Sequence, residues 1–296
     1  MTSLTHDIKD KLANLNVLEK IIAVNVVIFI FAYIHEIVTP GIEKTGLSWL
    51  ELPSSFSEFI LKPWSIITYA FAHYDFIHIL FNMFLLYVIA KWFINLFNPK
   101  LALNVYFLGA ISGGFLFFIM RNLFPNTFIY SGLVGASASI RALFIFLCAY
   151  MPNKEMRFFT VNLKFWYLGA AMVVMDVFGV LGGIKDPISG NAGGYLAHLG
   201  GAALGYFYAT QLVKGKDIGK GFEKLMDVVL NTFKASKRGS LKTVHKNKSK
   251  VGGYTKSDFK KFNNQKRIDI ILDKISKSGY DSLTADEKEL LFRAGK

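Results

Sequence analysis

Six apolar runs, each close to the ~20 residues an α-helix needs to cross a hydrocarbon core, recur along one stretch of this chain. They fall at residues 21–38, within 64–97 (starting near residue 73), 101–120, 133–151, 165–184 and 193–213. Lipid offers no partner for a backbone N–H or C=O, so such runs must satisfy their own polar groups as helices. The expected fold class is therefore an all-α membrane protein, a bundle of six transmembrane helices. The total of 52% hydrophobic residues would not decide this, because soluble domains come near it; the clustering does. Phe is abundant (28 residues), as suits lipid-facing surfaces. The only cysteine, Cys148, lies inside the fourth run, so one chain can build neither a disulfide framework nor a cysteine metal cluster.

Charge gives the orientation. With the N-terminus inside, the inner segments ahead of the tail carry Lys9, Lys11, Lys20, Lys91, Lys100, Lys154, Arg157 and Lys164, and the outer loops carry Lys44, Lys62, Arg121 and Lys185. Short cytoplasmic loops collect Lys and Arg, so both termini are expected inside. Residues 214–296 hold 21 Lys and Arg against 10 Asp and Glu, a net +11, whereas the first 213 residues carry only +2. Next to a membrane, a basic tail points to anionic lipid headgroups rather than nucleic acid. The first run lacks a small-residue cleavage site and reads as a retained span, not a signal peptide.

The expected domains are a polar N-terminal segment (1–16), a six-span core (17–213), a basic linker (214–256) and a helical hairpin (257–296). In the hairpin, Phe259, Phe262, Ile268, Ile271, Leu272 and Ile275 form one stripe. Gly279 is a helix stop, and Thr284-Ala285-Asp286-Glu287 reads as a capping box. The long outer loop 39–63 holds Trp49, Phe56, Phe59, Ile60 and Leu61, too apolar for a free linker, and suits an element lying in the interface.

The polar residues inside the runs carry the chemistry. Gly135-Ala136-Ser137-Ala138-Ser139 heads the fourth run, and small residues there let a neighbouring helix approach closely. A serine hydroxyl needs a base to become a nucleophile, and His198 stands near the head of the sixth run. Both runs go from outside to inside, so Ser137 and His198 lie at matching depth. His78 and Asn82, four residues apart on one face of the second run, can donate to an oxyanion together with the Ser137 N–H. His73 lies nearer the outer end. No carboxylate neighbours Ser137 or His198 in sequence, so the pattern reads as a dyad. Intramembrane polar groups are costly, and several on one side of the membrane point to a site. Arg141 lies ~6 Å below Ser137 and Asp176 ~16 Å up the fifth run from residue 165, at similar depth, so these two are expected to pair.

These residues resemble the motifs of the rhomboid intramembrane serine proteases. The family's H-x4-H-x3-N block corresponds to His73…His78…Asn82, its G-x-S-G block to Gly135-Ala136-Ser137-Ala138, and its A-H-x2-G-x3-G block to Ala197-His198…Gly201…Gly205. The resemblance implies Ser137 as nucleophile, His198 as base, and His78 and Asn82 in the oxyanion hole. It also implies structural roles near the site for His73, Gly135, Gly201 and Gly205. No cofactor and no metal are implied. The expected activity is serine endopeptidase cleavage of transmembrane protein substrates near the outer face. The expected setting is a bacterial inner membrane, the tail being similar to C-terminal extensions of some bacterial rhomboids. Three positions depart from the family pattern: Ala138 follows the serine in place of glycine, Arg141 stands where an apolar residue is usual, and Ser65 follows Trp64 in place of arginine. The alternative is a catalytically inactive rhomboid-like protein that binds or escorts transmembrane clients. A small transporter, the third class, should show inverted repeats or paired broken helices, and the sequence suggests neither.

Overall fold

The computed structural model describes residues 6, 11, 13–39, 47–128, 132–158, 161–186, 191–233, 250–251 and 254–294. It divides into two compact units, residues 1–235 and residues 236–296.

Six long helices build the first unit. Helix α1, Val17–Val38, starts on a capping box. Asn16 Oδ1 accepts from the N–H groups of Leu18 and Glu19 at 3.0 and 2.9 Å, and Glu19 returns a carboxylate to the Asn16 N–H. Only Leu18, Ile21 and Asn25 of this helix are buried, so most of its surface is left to lipid. Helix α2, Phe76–Leu96, begins at the N-cap Asp75, whose side chain accepts from the His78 N–H at 2.8 Å. That cap sets the helix start three residues beyond His73, which therefore lies in the preceding loop rather than at the head of the span. Helix α3, Pro99–Leu123, is capped by Asn98 and has proline in its first turn, where a missing N–H costs nothing.

Helix α4, Ser137–Tyr150, has only 14 residues. The sequence suggested a run beginning at residue 133, but Gly132–Leu133 is extended and pairs antiparallel with Leu52–Pro53 of the outer loop. The chain thus enters the bundle as a strand and turns helical only at Ser137. Ala138, Ser139, Ile140, Ala142, Leu143 and most residues up to Cys148 are buried. Helices α2, α3, α5 and α6 surround α4. Helix α5 is Phe165–Lys185 and α6 is Ala192–Val213. By length and composition, α1, α2, α3 and α5 suffice to cross a membrane. Helix α6 is as long, but Gly193, Gly194, Gly200, Gly201 and Gly205 dilute its apolar side chains.

Those glycines explain how α4 and α6 meet. A Cβ on Gly201 would overlap the Ala138 carbonyl oxygen, and one on Gly205 the Ala142 carbonyl oxygen. Two contacts, each four residues on from the last along both chains, mean parallel helices in backbone contact, the small-xxx-small packing that association in lipid favours.

From residue 47 on, the loop between α1 and α2 is tied down rather than free. Trp64 stacks on Trp49 at 6.1 Å between centroids, and its Nε1 donates to the Trp49 carbonyl at 2.9 Å. Helix Phe56–Leu61 exposes Phe56, Ile60 and Leu61 while Phe59 packs on Phe118, as an interfacial element does. Between α4 and α5 the chain forms a hairpin, Glu155–Phe158 against Val161–Lys164, where the sequence suggested only a polar, basic loop.

The segment expected to be a basic linker begins with a further helix, α7, Lys220–Phe233. It is pinned to the bundle. Asn104 Nδ2 donates to Glu223 Oε1 at 2.8 Å, and the Tyr208 hydroxyl donates to Asp217 Oδ1 at 2.6 Å. Residues 234–249 of the linker lie outside the described residues.

The second unit contains helix α8, Lys256–Ser278, and helix α9, Ala285–Ala294. Gly279 ends α8 with φ of 76°, a left-handed conformation suited to glycine. Thr284 and Glu287 form the expected capping box: the Thr284 N–H donates to Glu287 Oε2 at 2.8 Å and the Glu287 N–H to Thr284 Oγ1 at 3.4 Å. Of the expected stripe, Ile271 is buried, Ile268 and Ile275 are half-buried, and Leu272 is exposed. The side chains of Phe259 and Phe262 lie outside the described residues. The Lys274 ammonium, hydrogen-bonded to Glu287 at 2.8 Å, holds the Glu287 carboxyl down at about 2.

Candidate active site

Ser137 opens α4, so its N–H belongs to the first helical turn, whose donors have no intrahelical acceptor. The approach to it is fixed by Gly135. That residue has φ of 113°, and its N–H donates to the Tyr69 carbonyl at 2.9 Å. A Cβ there would meet the His78 ring, with Cε1 at 2.7 Å and Nε2 at 2.8 Å, and Asn82 Nδ2 at 3.8 Å. Glycine is thus required twice, by backbone conformation and by space. In consequence the His78 ring and the Asn82 amide both face the backbone two residues ahead of Ser137.

His73 is almost fully buried and ties the loop ahead of α2 to the start of α4. The Ala136 N–H donates to His73 Nε2 at 3.3 Å, and Asn82 Nδ2 lies 3.3 Å from the same nitrogen. Asn82 also donates to the His78 carbonyl at 3.1 Å. The Asn82 amide thus lies between the His78 carbonyl, to which it donates, and the His73 ring, whose Nε2 already receives the Ala136 N–H. The rings of His73 and His78 meet edge-on, with centroids 5.0 Å apart.

The α4–α6 zipper brings His198 to the same end. Gly201 lies against Ala138, and His198 is three residues, one turn, before Gly201. Its ring packs edge-on against Tyr195 at 5.6 Å. Gly205 extends the zipper one turn further in. His73, His78, Asn82, Gly135, His198 and Gly201 thus gather around the N-terminal end of α4, with Gly205 one turn further along.

Two acidic groups add what the sequence motifs lacked. Beside the Leu52–Pro53 and Gly132–Leu133 strand pair the Tyr74 hydroxyl donates to Glu51 Oε2, and Glu51 closes over Gly132. Burial and this carboxylate push the Tyr74 hydroxyl upward, so it remains a donor. Deeper, Asp176 of α5 is buried at 1% exposure. Its Oδ2 accepts from Arg141 Nε at 2.8 Å and its Oδ1 from Arg141 Nη2 at 3.1 Å, the pair expected from their depths. The same Oδ1 lies 2.9 Å from His198 Nδ1. The sequence pattern placed no carboxylate beside the histidine; in the structure an Asp reaches it, from a helix position 22 residues away. Counting residues matches Asp176 in depth to Arg141 alone, with His198 about one turn higher.

Similarity to known proteins bears on this arrangement. The Rhomboid domain family model matches residues 61–215, which is more than half of the chain. The chain belongs to the rhomboid family. A family of unknown function, DUF6576, matches residues 256–294, the helical hairpin. Among curated relatives, the human presenilin-associated rhomboid-like protein, mitochondrial, is 24% identical over 195 residues. That match covers 64% of this rhomboid and 46% of the human protein. RHOMBOID-like protein 12, mitochondrial, of Arabidopsis thaliana is 27% identical over 165 residues, 51% of this chain and 47% of its own length. This rhomboid thus spans about half the length of the curated relatives it matches, and it is an integral, multi-pass membrane protein.

Proposed function

We propose that this rhomboid is an intramembrane serine endopeptidase acting on transmembrane protein substrates near the outer face of the membrane. The observation that carries the reading is the convergence at the start of α4: the Gly135 backbone, two residues ahead of Ser137, beside the His78 ring and the Asn82 amide, with His198 one turn above the Gly201–Ala138 contact. Family membership supports it.

The chemistry follows from the groups present. His198 Nε2 takes the Ser137 hydroxyl proton as Oγ bonds to the scissile carbonyl carbon, and the C=O electron pair moves to oxygen. The oxyanion accepts from the Ser137 N–H and from His78. It also draws an Asn82 amide hydrogen. Collapse breaks the C–N bond, and the His198 proton goes to the leaving amine. Water then gives a proton to His198 and attacks the acyl carbon, after which Ser137 Oγ leaves and recovers its proton. A helical carbonyl is already bonded, so the substrate must unwind locally before it can react.

The basic side of the membrane holds both termini in this reading. Helix α7 supports it: Leu225 and Val228 are exposed beside Lys220 and Lys224, a composition suited to an anionic leaflet. Cleavage of a transmembrane reporter by the purified full chain, with Ser137→Ala as control, tests the proposal. Cleavage that persists at more than a few per cent in Ser137→Ala contradicts it, as does no cleavage by the wild type across reporters with helix-breaking residues in their outer half.

A further inference from the structure

Arg141, Asp176 and His198 come from three different helices, α4, α5 and α6, and meet through one carboxylate. The geometry points to Asp176 as a positioning residue that fixes the tautomer and ring orientation of His198, with Arg141 as the counter-ion that keeps the carboxylate in place. This rests on the protease reading above and goes beyond a serine–histidine pair.

Oδ1 of Asp176, 2.9 Å from His198 Nδ1, is an acceptor. Asp176 is also held in a fork by Arg141 Nε and Nη2, so its charge is compensated where it is buried. A compensated carboxylate has only acceptor capacity, so the proton between it and the ring belongs to Nδ1. That leaves the Nε2 lone pair free of a proton, the form a base for Ser137 needs. Without the carboxylate, neutral imidazole divides between two tautomers and can rotate. An acceptor held at Nδ1 removes both losses, the role a buried aspartate plays beside histidine in soluble serine proteases.

Arg141 is itself fixed. It lies four residues after Ser137, on the same face of α4. Its Nη1 contacts Met172 Sδ at 3.2 Å. It thus spans α4 to α5 and cannot swing into the Ser137 cavity without giving up a bidentate pair. Among the described residues, the charged or titratable groups facing His198 are Asp176 from α5, Arg141 from α4 and His78 from α2, with Tyr195 on its own helix. Asp176 is the one acceptor at Nδ1 in that set.

The competing account makes Asp176 only the partner Arg141 needs in lipid. Removing both charges separates the two. Asp176→Leu combined with Arg141→Met leaves neither an orphan charge nor an acceptor for Nδ1. In the full-length protein we expect this double variant to fold and to bind the reporter with KM within a few-fold of wild type. Its kcat should fall by about 10²-fold to 10⁴-fold, the scale of losing the aspartate from such a relay. Wild-type kcat in the folded double variant overturns the inference. Should the double variant fail to fold, nitrogen-15 NMR of histidine-labelled wild-type protein decides instead. A His198 signal with Nδ1 protonated and Nε2 bare supports the inference, and a signal with Nε2 protonated and Nδ1 bare overturns it. That signal is read without turnover, so it stands even if no substrate is cut. Loss of cleavage in Ser137→Ala alongside undiminished cleavage in the double variant would retain the protease reading and reject the relay.

Discussion

Helix α6 carries a polar cluster at each end, and the two are built differently. Toward its N-terminal end, the outer one in the proposed orientation, His198 joins Asp176 and Arg141, charged groups from helices otherwise clad in apolar side chains. Ten residues further in, ~15 Å at 1.5 Å per residue, Tyr208 joins Asp217, Asn104 and, through Asn104, Glu223. The inner cluster pairs hydroxyl and amide donors with acidic acceptors, and it staples α7 to α3 and α6. It includes no nucleophile and no histidine among the described residues. The cluster around His198 instead lies by the end of α4 that Ser137 opens, and the proposed mechanism uses the His198 Nε2 as the base. Burial alone therefore does not mark a site, since each cluster contains buried groups, Asp176 in one and Asn104 and Tyr208 in the other. In the proposed mechanism the mark is a charge-compensated group that still has one reactive atom to offer.

The sharpest way to break the contrast is to mutate each end and read rate and stability separately. At the outer end, Ser137→Ala and His198→Ala should each abolish cleavage, by a factor on the order of 10⁶ in kcat, with the double variant no worse than either single one. Thermal unfolding in detergent should move little for Ser137→Ala. Additive losses would mean that the two do not act as a unit.

Asn82→Ala tests the wall between them. It should slow kcat by about 10-fold to 10³-fold, the range for one oxyanion donor. Because Asn82 also lies against His73 and donates to the His78 carbonyl, a small loss of stability should accompany it. An unchanged kcat would reduce Asn82 to a loop fastener.

The inner end should answer in the opposite sense. Tyr208→Phe removes the hydroxyl that donates to Asp217 and receives Asn104, and should cost about 2 kcal/mol of stability with kcat unchanged. Denaturant unfolding and reporter kinetics on the same preparation check this, and a kcat loss larger than about tenfold would show that the staple gates the site.

How far the sequence reached depended on whether the information was one-dimensional. Six apolar runs, their order, and the spacing of His78, Asn82, Ser137 and His198 are readable because spans and motifs are local patterns. The Arg141–Asp176 pair was also within reach, since depth follows from counting residues along straight helices. The His198–Asp176 contact was not, because counting gives depth and says nothing of the direction in which a side chain points round the helix. The late start of α4 was hidden too: Gly132 and Leu133 look like helix in an apolar run, but pairing with Leu52 and Pro53 draws them into a strand. Helix α7 was missed because its basic residues were read as a solvated linker, although Phe222 packs beside Phe107 at 6.3 Å.

The smallest effect is expected in the hairpin, which is remote from this chemistry. Glu287 lies well below its ordinary value of 4.5, at about 2, chiefly through Lys274. A depressed carboxyl contributes stability above its unfolded value and loses it as pH falls through the folded one. Protection of the α9 amides in the full-length protein, corrected for intrinsic exchange, should therefore decline between about pH 4.5 and about pH 2. Glu287→Gln should flatten that decline, and a decline of equal size in the variant would assign it to other carboxylates.

The central claim is that Ser137 is a nucleophile made reactive by His198, and covalent labelling tests it without any knowledge of the substrate. The full-length protein, treated with a serine-directed fluorophosphonate and analysed by peptide mass spectrometry, should carry one phosphonyl adduct, on Ser137, with His198→Ala labelled at least about 10²-fold more slowly. Equal labelling of wild type and His198→Ala, or an unlabelled Ser137 in folded protein, would contradict it.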